Sequence, residues 1–156
     1  MTIPGPRALY RVAAAAEMVT WALLIVAMVL KYSGLTEALT PVAGGLHGFV
    51  FLCYVAVVAA VWVDERWPAG RGLAALGSAV VPFMTVPFER GLHRRGLQAP
   101  TWRVLDDPAC VRSGTGRVLA AVLRHPVVSA LVVLAAVAVV FVLLLSAGPP
   151  TQWFGA

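Results

Sequence analysis

The chain has 156 residues, 60% of them hydrophobic and 12% charged, with a mean hydropathy of +0.86. A soluble domain carries about 25% charged residues, so this composition excludes a water-soluble core and points to an integral membrane protein. The net charge of +5 rests on eleven Arg and one Lys that lie between apolar runs, where they set topology and meet anionic lipid headgroups; membrane lipids are the expected partner and nucleic acid is not.

Four segments are long and apolar enough to be read as spans. The opening residues, MTIPGPRALYR, lack a separable apolar core with a cleavage site, so the first run reads as a retained helix rather than a signal peptide. That run is Val12 to Leu30, interrupted only by Glu17. Lys31 to Gly45 then forms a connection with Thr, Ser, Pro, Gly and Glu37. The second span is Leu46 to Val63, with His47 at its start and Cys53 inside it. DERWPAGR, residues 64 to 71, reads as a short turn with an interfacial Trp67. The third span, Gly72 to Phe88, is short and holds Pro82 and Pro87, which kink a helix. Glu89 to His125 is an Arg-rich loop in which GRVLAAVLRHP is suited to an amphipathic helix at the interface. The fourth span, Pro126 to Ala147, has no charge and opens on a proline suited to a first helical turn.

At 1.5 Å per residue, runs of 17 to 22 residues cover roughly 25 to 33 Å, the thickness of a bilayer core. Helices are expected because a lone strand leaves its backbone unpaired in lipid, and the alternation of a barrel strand is absent. The fold class is therefore all-α, a membrane helical bundle with a three-helix core and a fourth transmembrane helix. With four crossings, the first and third connections share one side and carry Lys31 and seven arginines. The N-terminal tail, the second connection and the C-terminal tail carry Arg7, Arg11, Arg66 and Arg71 on the other. The excess places the Arg-rich loop 89–125 in the cytoplasm and both termini outside.

Ionisable residues inside spans need a partner or water. Glu17 is an intramembrane carboxylate with Arg11 and Ser78 as expected partners. It suits a proton relay, a cation site or a counter-ion, or a plain structural bond to a neighbouring helix. His47, placed at the membrane edge by its position at the head of span two, suits a helix-bridging role; as a haem or metal ligand it lacks companions at helical spacing, since His93 and His125 lie far along the chain. Read antiparallel, Lys31, His47, Thr85 and Glu89 fall at one membrane face, as a clasp of ion pairs or the wall of a polar pocket. Gly44, Gly45 and Gly48 leave room for close helix approach. Cys53 and Cys110 form neither a disulfide framework nor a metal motif. No nucleophile elbow, Walker loop, HExxH, CxxC or dinucleotide fingerprint is present.

Four pieces in order, RVAAAAE (11–17), LKYSG (30–34), GGLHGFVFLCYV (44–55) and SAVVPFMTVPFER (78–90), carry a family pattern. It is an Arg before a Glu in helix one, Lys-Tyr at its exit, His-Gly opening helix two, and Ser-x-x-Pro-Phe with a later acidic-Arg pair. The matching positions are Arg11, Glu17, Lys31, Tyr32, His47, Gly48, Ser78, Pro82, Phe83, Glu89 and Arg90. The chain thus resembles the bacterial membrane family known as domain of unknown function 3817 over residues 8 to 95, departing at Met84, where the family often has Gly. The resemblance implies a three-helix membrane core and no particular reaction. The expected domains are that core (8–95), the Arg-rich loop (96–125) and the fourth helix (126–147). The expected role is a non-enzymatic multi-pass protein of the bacterial inner membrane, with no cofactor called for. It would be an accessory or assembly subunit of a larger membrane complex or a homo-oligomer, or a binder of a lipid or small amphiphile. A small transporter or ion-conducting subunit using Glu17 and the His47 cluster, and a haem or metal carrier through His47, are the competing expectations.

Overall fold

The structure, a computed structural model, describes residues 4–107 and 113–146. Seven helices carry the described chain: α1 (Pro6–Tyr32), α2 (Leu39–Glu65), α3 (Ala69–Ser78), α4 (Thr85–Arg94), α5 (Arg103–Asp106), α6 (Gly114–Arg124) and α7 (Pro126–Ser146). Among the described residues there is no strand, and α1, α2 and α7 are long and apolar enough to cross a membrane. Ala147, Cys110 and Arg112 lie outside the described residues.

α1 begins at Pro6, whose missing N–H is no loss in a first turn. Its buried positions, Tyr10, Ala14, Glu17, Thr20 and Ala27, recur at three- and four-residue steps and face α2 and α4. α2 starts at Leu39, seven residues before the expected head of span two, so Gly44 and Gly45 are helical. Their use is packing. A Cβ at Gly48 would sit 3.3 Å from the Phe141 ring of α7 and one at Gly45 3.8 Å from it, so Phe141 seats against the bare stretch of α2. Phe49 meets the same ring edge-on at 6.1 Å between centroids.

The expected third span is instead a hairpin. α3 rises antiparallel to α2, with Gly72 against Trp62 and Ser78 against Tyr54. Pro82 cannot continue the helix, because it lacks an N–H and its ring clashes with the carbonyl four residues back. Phe83 then takes a left-handed conformation (φ 64°) and the chain turns back. α4 descends antiparallel to α1: Thr85 Oγ1 donates to the Ala14 carbonyl (2.9 Å), and Arg7 Nη2 donates to His93 Nε2 (2.7 Å). The tip is apolar, with Val80, Val81, Phe83 and Met84 exposed. Part of its polar backbone is satisfied within: the N–H groups of Ala79, Val80 and Met84 bond inside the turns, and Trp21 Nε1 donates to the Ala79 carbonyl (2.9 Å). Non-helical backbone at membrane depth requires such pairing.

The hairpin returns the chain to the end of the bundle where α1 starts and α2 finishes. Residues 95–107 are tied to that end. Trp102 Nε1 donates to the Pro4 carbonyl (2.9 Å), Trp67 Nε1 to the Leu97 carbonyl (3.1 Å), and the Ala99 N–H to Glu65. Asp64, fully buried, accepts from the backbone N–H groups of Arg103 (3.2 Å) and Val104 (3.0 Å), capping α5 from another helix. Trp67, expected at the lipid interface, is buried here edge-on to Tyr10. The Arg-rich segment also forms α6, capped by Ser113 Oγ accepting from the Gly116 N–H, with Leu119, Ala120 and Leu123 inward as its amphipathic pattern suggests. α7 then runs back along α2.

This geometry corrects the expected sidedness. The N-terminus, the α2–α3 connection and the Arg-rich segment share one end of the bundle, whereas four crossings would have separated them. Every described arginine, from Arg7 to Arg124, belongs to that end, and among the described residues Lys31 is the sole Lys or Arg at the other.

Candidate functional site

The polar residues of the bundle interior come chiefly from the facing stripes of α1 and α2, with α3 and α4 closing them in. Nearest the arginine-rich end is a hydroxyl cluster. Tyr54 donates to the Ala75 carbonyl (3.0 Å) and therefore accepts from Tyr10 (2.9 Å), since a hydroxyl has one hydrogen to give. Ser78 Oγ lies 3.0 Å from the Tyr54 hydroxyl and donates to the Ala75 carbonyl (2.7 Å). Both tyrosines are fully buried. Removing the central hydroxyl orphans its neighbours, so Tyr54→Phe should destabilise the bundle by about 2 kcal/mol, and Tyr10→Phe, which removes only one terminal partner, by about 1 kcal/mol. Reversible unfolding in mixed micelles, followed by helical circular dichroism, measures both; equal costs would contradict the central place of Tyr54.

Deeper along α1 is Glu17. It lies eleven residues after Pro6, roughly 16 Å along the helix axis, near the middle of α1 rather than at its start. Its side chain is 0% exposed, and neither carboxyl oxygen has a hydrogen-bond partner. His47, eight residues or roughly 12 Å into α2, faces it, with Nδ1 3.8 Å from Glu17 Oε1. Thr20 sits between them in the network. Its hydroxyl donates to the Glu17 backbone carbonyl (3.0 Å) and so accepts from His47 Nδ1 (3.1 Å). That assigns the Nδ1 hydrogen to the Thr20 bond and leaves Nε2 as the acceptor of a neutral ring. Trp21 packs on the imidazole with centroids 4.5 Å apart.

The structure therefore regroups the expected residues. Lys31, His47, Thr85 and Glu89 do not share one face. Lys31 approaches Glu37 (3.8 Å) at the far end, Thr85 bonds the α1 backbone, and Glu89 is buried within electrostatic reach of Tyr10. The antiparallel reading failed because segment three turns back before reaching the Lys31 end. Of the partners expected for Glu17, Ser78 bonds Tyr54 instead and Arg11 is exposed on the outside of α1. Tyr10, Thr20, Trp21 and Tyr54 were not singled out from the sequence; their one signal was membership of the same three- and four-residue stripes as Glu17 and His47. Among the described residues no group of three or more His, Cys, Asp and Glu is placed to hold a metal ion, so His47 and Glu17 make an incomplete donor set. At the arginine-rich end a groove of about 500 Å³ lies between the end of α2 and the start of α6, lined by Trp62, Val63, Arg66, Trp67, Ser113 and Thr115 among others.

Comparisons with known proteins agree with the membrane character of this bundle. The family model described as Domain of unknown function (DUF3817) matches residues 7–94, that is, α1 through α4. A membrane protein of Streptomyces coelicolor, SCO5905, is 42% identical over 88 residues, covering 54% of this chain and 10% of that protein. YdzA, a membrane protein of Bacillus subtilis, is 39% identical over 72 residues, covering 46% of this chain and 74% of YdzA. No solved structure matches the chain.

Proposed function

The chain belongs to the DUF3817 family, and we propose that within it this protein is a non-enzymatic accessory subunit of the bacterial cytoplasmic membrane that assembles with a larger membrane protein. One observation carries this reading: a segment 42% identical to 88 residues of this chain makes up 10% of a much longer membrane protein of Streptomyces. A module built into a large membrane protein in one chain is suited to docking on one when it is separate. The exposed apolar length of α7, in which Val137 is the buried residue among those described, supplies a surface for that contact within the lipid. Orientation follows from the arginines. By the positive-inside rule, their collection at one end supports a cytoplasmic side for the N-terminus, the hairpin ends and the Arg-rich segment, and an outer side for the Lys31 connection. This keeps the expected side for segment 89–125 and reverses it for the N-terminus.

The test is purification from native membranes in mild detergent, with photo-crosslinking residues at Leu131 and Val142 on α7. The expected result is a stoichiometric complex with one larger membrane protein, crosslinked through α7. A protein that runs alone or only with copies of itself, crosslinked to lipid, would overturn the proposal. A second reading, a small ion-conducting subunit, draws on the unpaired Glu17 carboxyl facing His47. Flux in liposomes unchanged by Glu17→Gln and His47→Ala would count against it.

A further inference from the structure

We propose that Glu17 and His47 form a proton-binding site in the interior of the membrane bundle, with one labile proton shared by the pair. Thr20, Tyr10, Tyr54, Ser78, Thr85, Trp21 and Trp67 all have hydrogen-bond partners. Two buried side chains among the described residues are left without a partner, Gln98 in the segment after α4 and Glu17 in the bundle interior; Glu17 is fully enclosed, both carboxyl oxygens are unbonded, and His47 Nδ1 lies 3.8 Å away.

Burying an ionised carboxylate without a counter-charge or donor is very costly. The carboxyl is accommodated with a proton of its own beside a neutral imidazole, or as the anion beside an imidazolium. Each arrangement holds one labile proton: on the Glu17 carboxyl in the first and, since Nδ1 already carries the hydrogen given to Thr20, on His47 Nε2 in the second, so that the pair exchanges the proton with nothing else consumed. The other groups around the pair do not supply the missing charge. From α2, His47 and Tyr54 face Glu17; from α3, Ser78 is engaged by Tyr54; the 79–84 turn has no titratable side chain; and from α4, Thr85 and Glu89 lie lower, level with Ala14 and Tyr10. Arg11 is exposed on α1, and α7 has no charged residue. A metal ion is the poorer occupant, because a hard cation takes six or more oxygen ligands and the site offers a carboxylate and an imidazole.

Access is through the histidine. Glu17 is 0% exposed and its partner's side chain 14%, so a proton reaching the carboxyl from outside the bundle passes the imidazole. On the inner side Glu17 lies within electrostatic reach of Tyr54, whose hydroxyl leads to Tyr10 and then toward Glu89 at the arginine-rich end.

The test is infrared difference spectroscopy of the full chain in lipid nanodiscs, titrated with pH. A protonated-carboxyl band should appear, be lost in Glu17→Gln, remain in Glu89→Gln, and shift its midpoint in His47→Gln. A band that persists in Glu17→Gln, or a midpoint unmoved by His47→Gln, overturns the site. Should the variants lose helical circular dichroism, nitrogen-labelled His47 is observed by NMR in the His93→Gln, His125→Gln background with residue 17 native. A coupled pair requires ring resonances and carboxyl band to report the same transitions, and separate transitions overturn it.

Discussion

Gly72→Ala should destabilise the protein by about 3 kcal/mol, whereas Gly70→Ala, two residues earlier on the same helix, should leave it unchanged or stabilise it by up to about 1 kcal/mol. A Cβ at Gly72 would lie 2.1 Å from the Trp62 ring, a distance no pair of heavy atoms tolerates. Trp62 cannot swing aside freely, because its indole N–H donates to the Trp67 carbonyl (2.8 Å) and so holds the reversal between α2 and α3. Either α3 moves away from α2 or that bond breaks. Overpacking costs about 1 to 3 kcal/mol and a lost hydrogen bond about 1 kcal/mol. At Gly70 an added methyl meets nothing within 4 Å, and alanine is the better helix former. Reversible unfolding in mixed micelles compares the two. Equal stabilities would mean that α3 does not lie against Trp62.

Asp64→Ala should release the segment between α4 and α6 from the end of the bundle, at a cost of about 3 kcal/mol, with Asp64→Asn losing less. The carboxylate is fully buried and accepts from two backbone N–H groups, those of Arg103 and Val104. Taking away the acceptor leaves both donors without a partner, at about 1 to 3 kcal/mol each, less whatever water restores. Glu65 beside it accepts from the Ala99 N–H and lies 4.0 Å from the Arg103 guanidinium, so a partial tether survives. Limited proteolysis with trypsin should cut at Arg95 and Arg103 faster in Asp64→Ala than in the native protein. Cleavage at the native rate would show that Asp64 does not hold the segment.

The sequence was sufficient for the class of molecule and for several local features. The three long apolar helices, the turn into α7 at Pro126, the amphipathic α6 and the room for close helix approach at Gly44, Gly45 and Gly48 all follow from patterns within one segment. Glu17 and His47 stood out because ionisable side chains are rare in such helices. What could not be read was decided by contacts between segments. Residues 72–88 are long enough to be taken for a span; they turn back because Pro82 and Phe83 break the helix where Trp21 and Ala14 on α1 are waiting to bond the broken ends. That single reversal changes the side of everything after it, which is why charge counting on four crossings divided arginines that the fold brings together. It also parts Glu89 and Thr85 from His47. The depth of His47 was misjudged for a related reason: Gly44 and Gly45 look like a turn when read alone, and they are helical because Phe141 and Leu24 fill the space beside them. Asp64 and Glu65 resemble the soluble rim of a turn, and only the loop folding over them makes them acceptors.

The hairpin and the shared end of the arginines are tested most directly by labelling single cysteines, in a background without Cys53 and Cys110, with a membrane-impermeant maleimide applied to intact cells. Residues 33, 69 and 95 are the informative positions: Ser33 follows α1, Ala69 opens α3 and Arg95 follows α4. Labelling at 33, with protection at both 69 and 95 until the membrane is opened, is the predicted result. Labelling at 69 with protection at 95 would mean that residues 69–94 cross the membrane as a span, and would contradict the fold and the proposed orientation together.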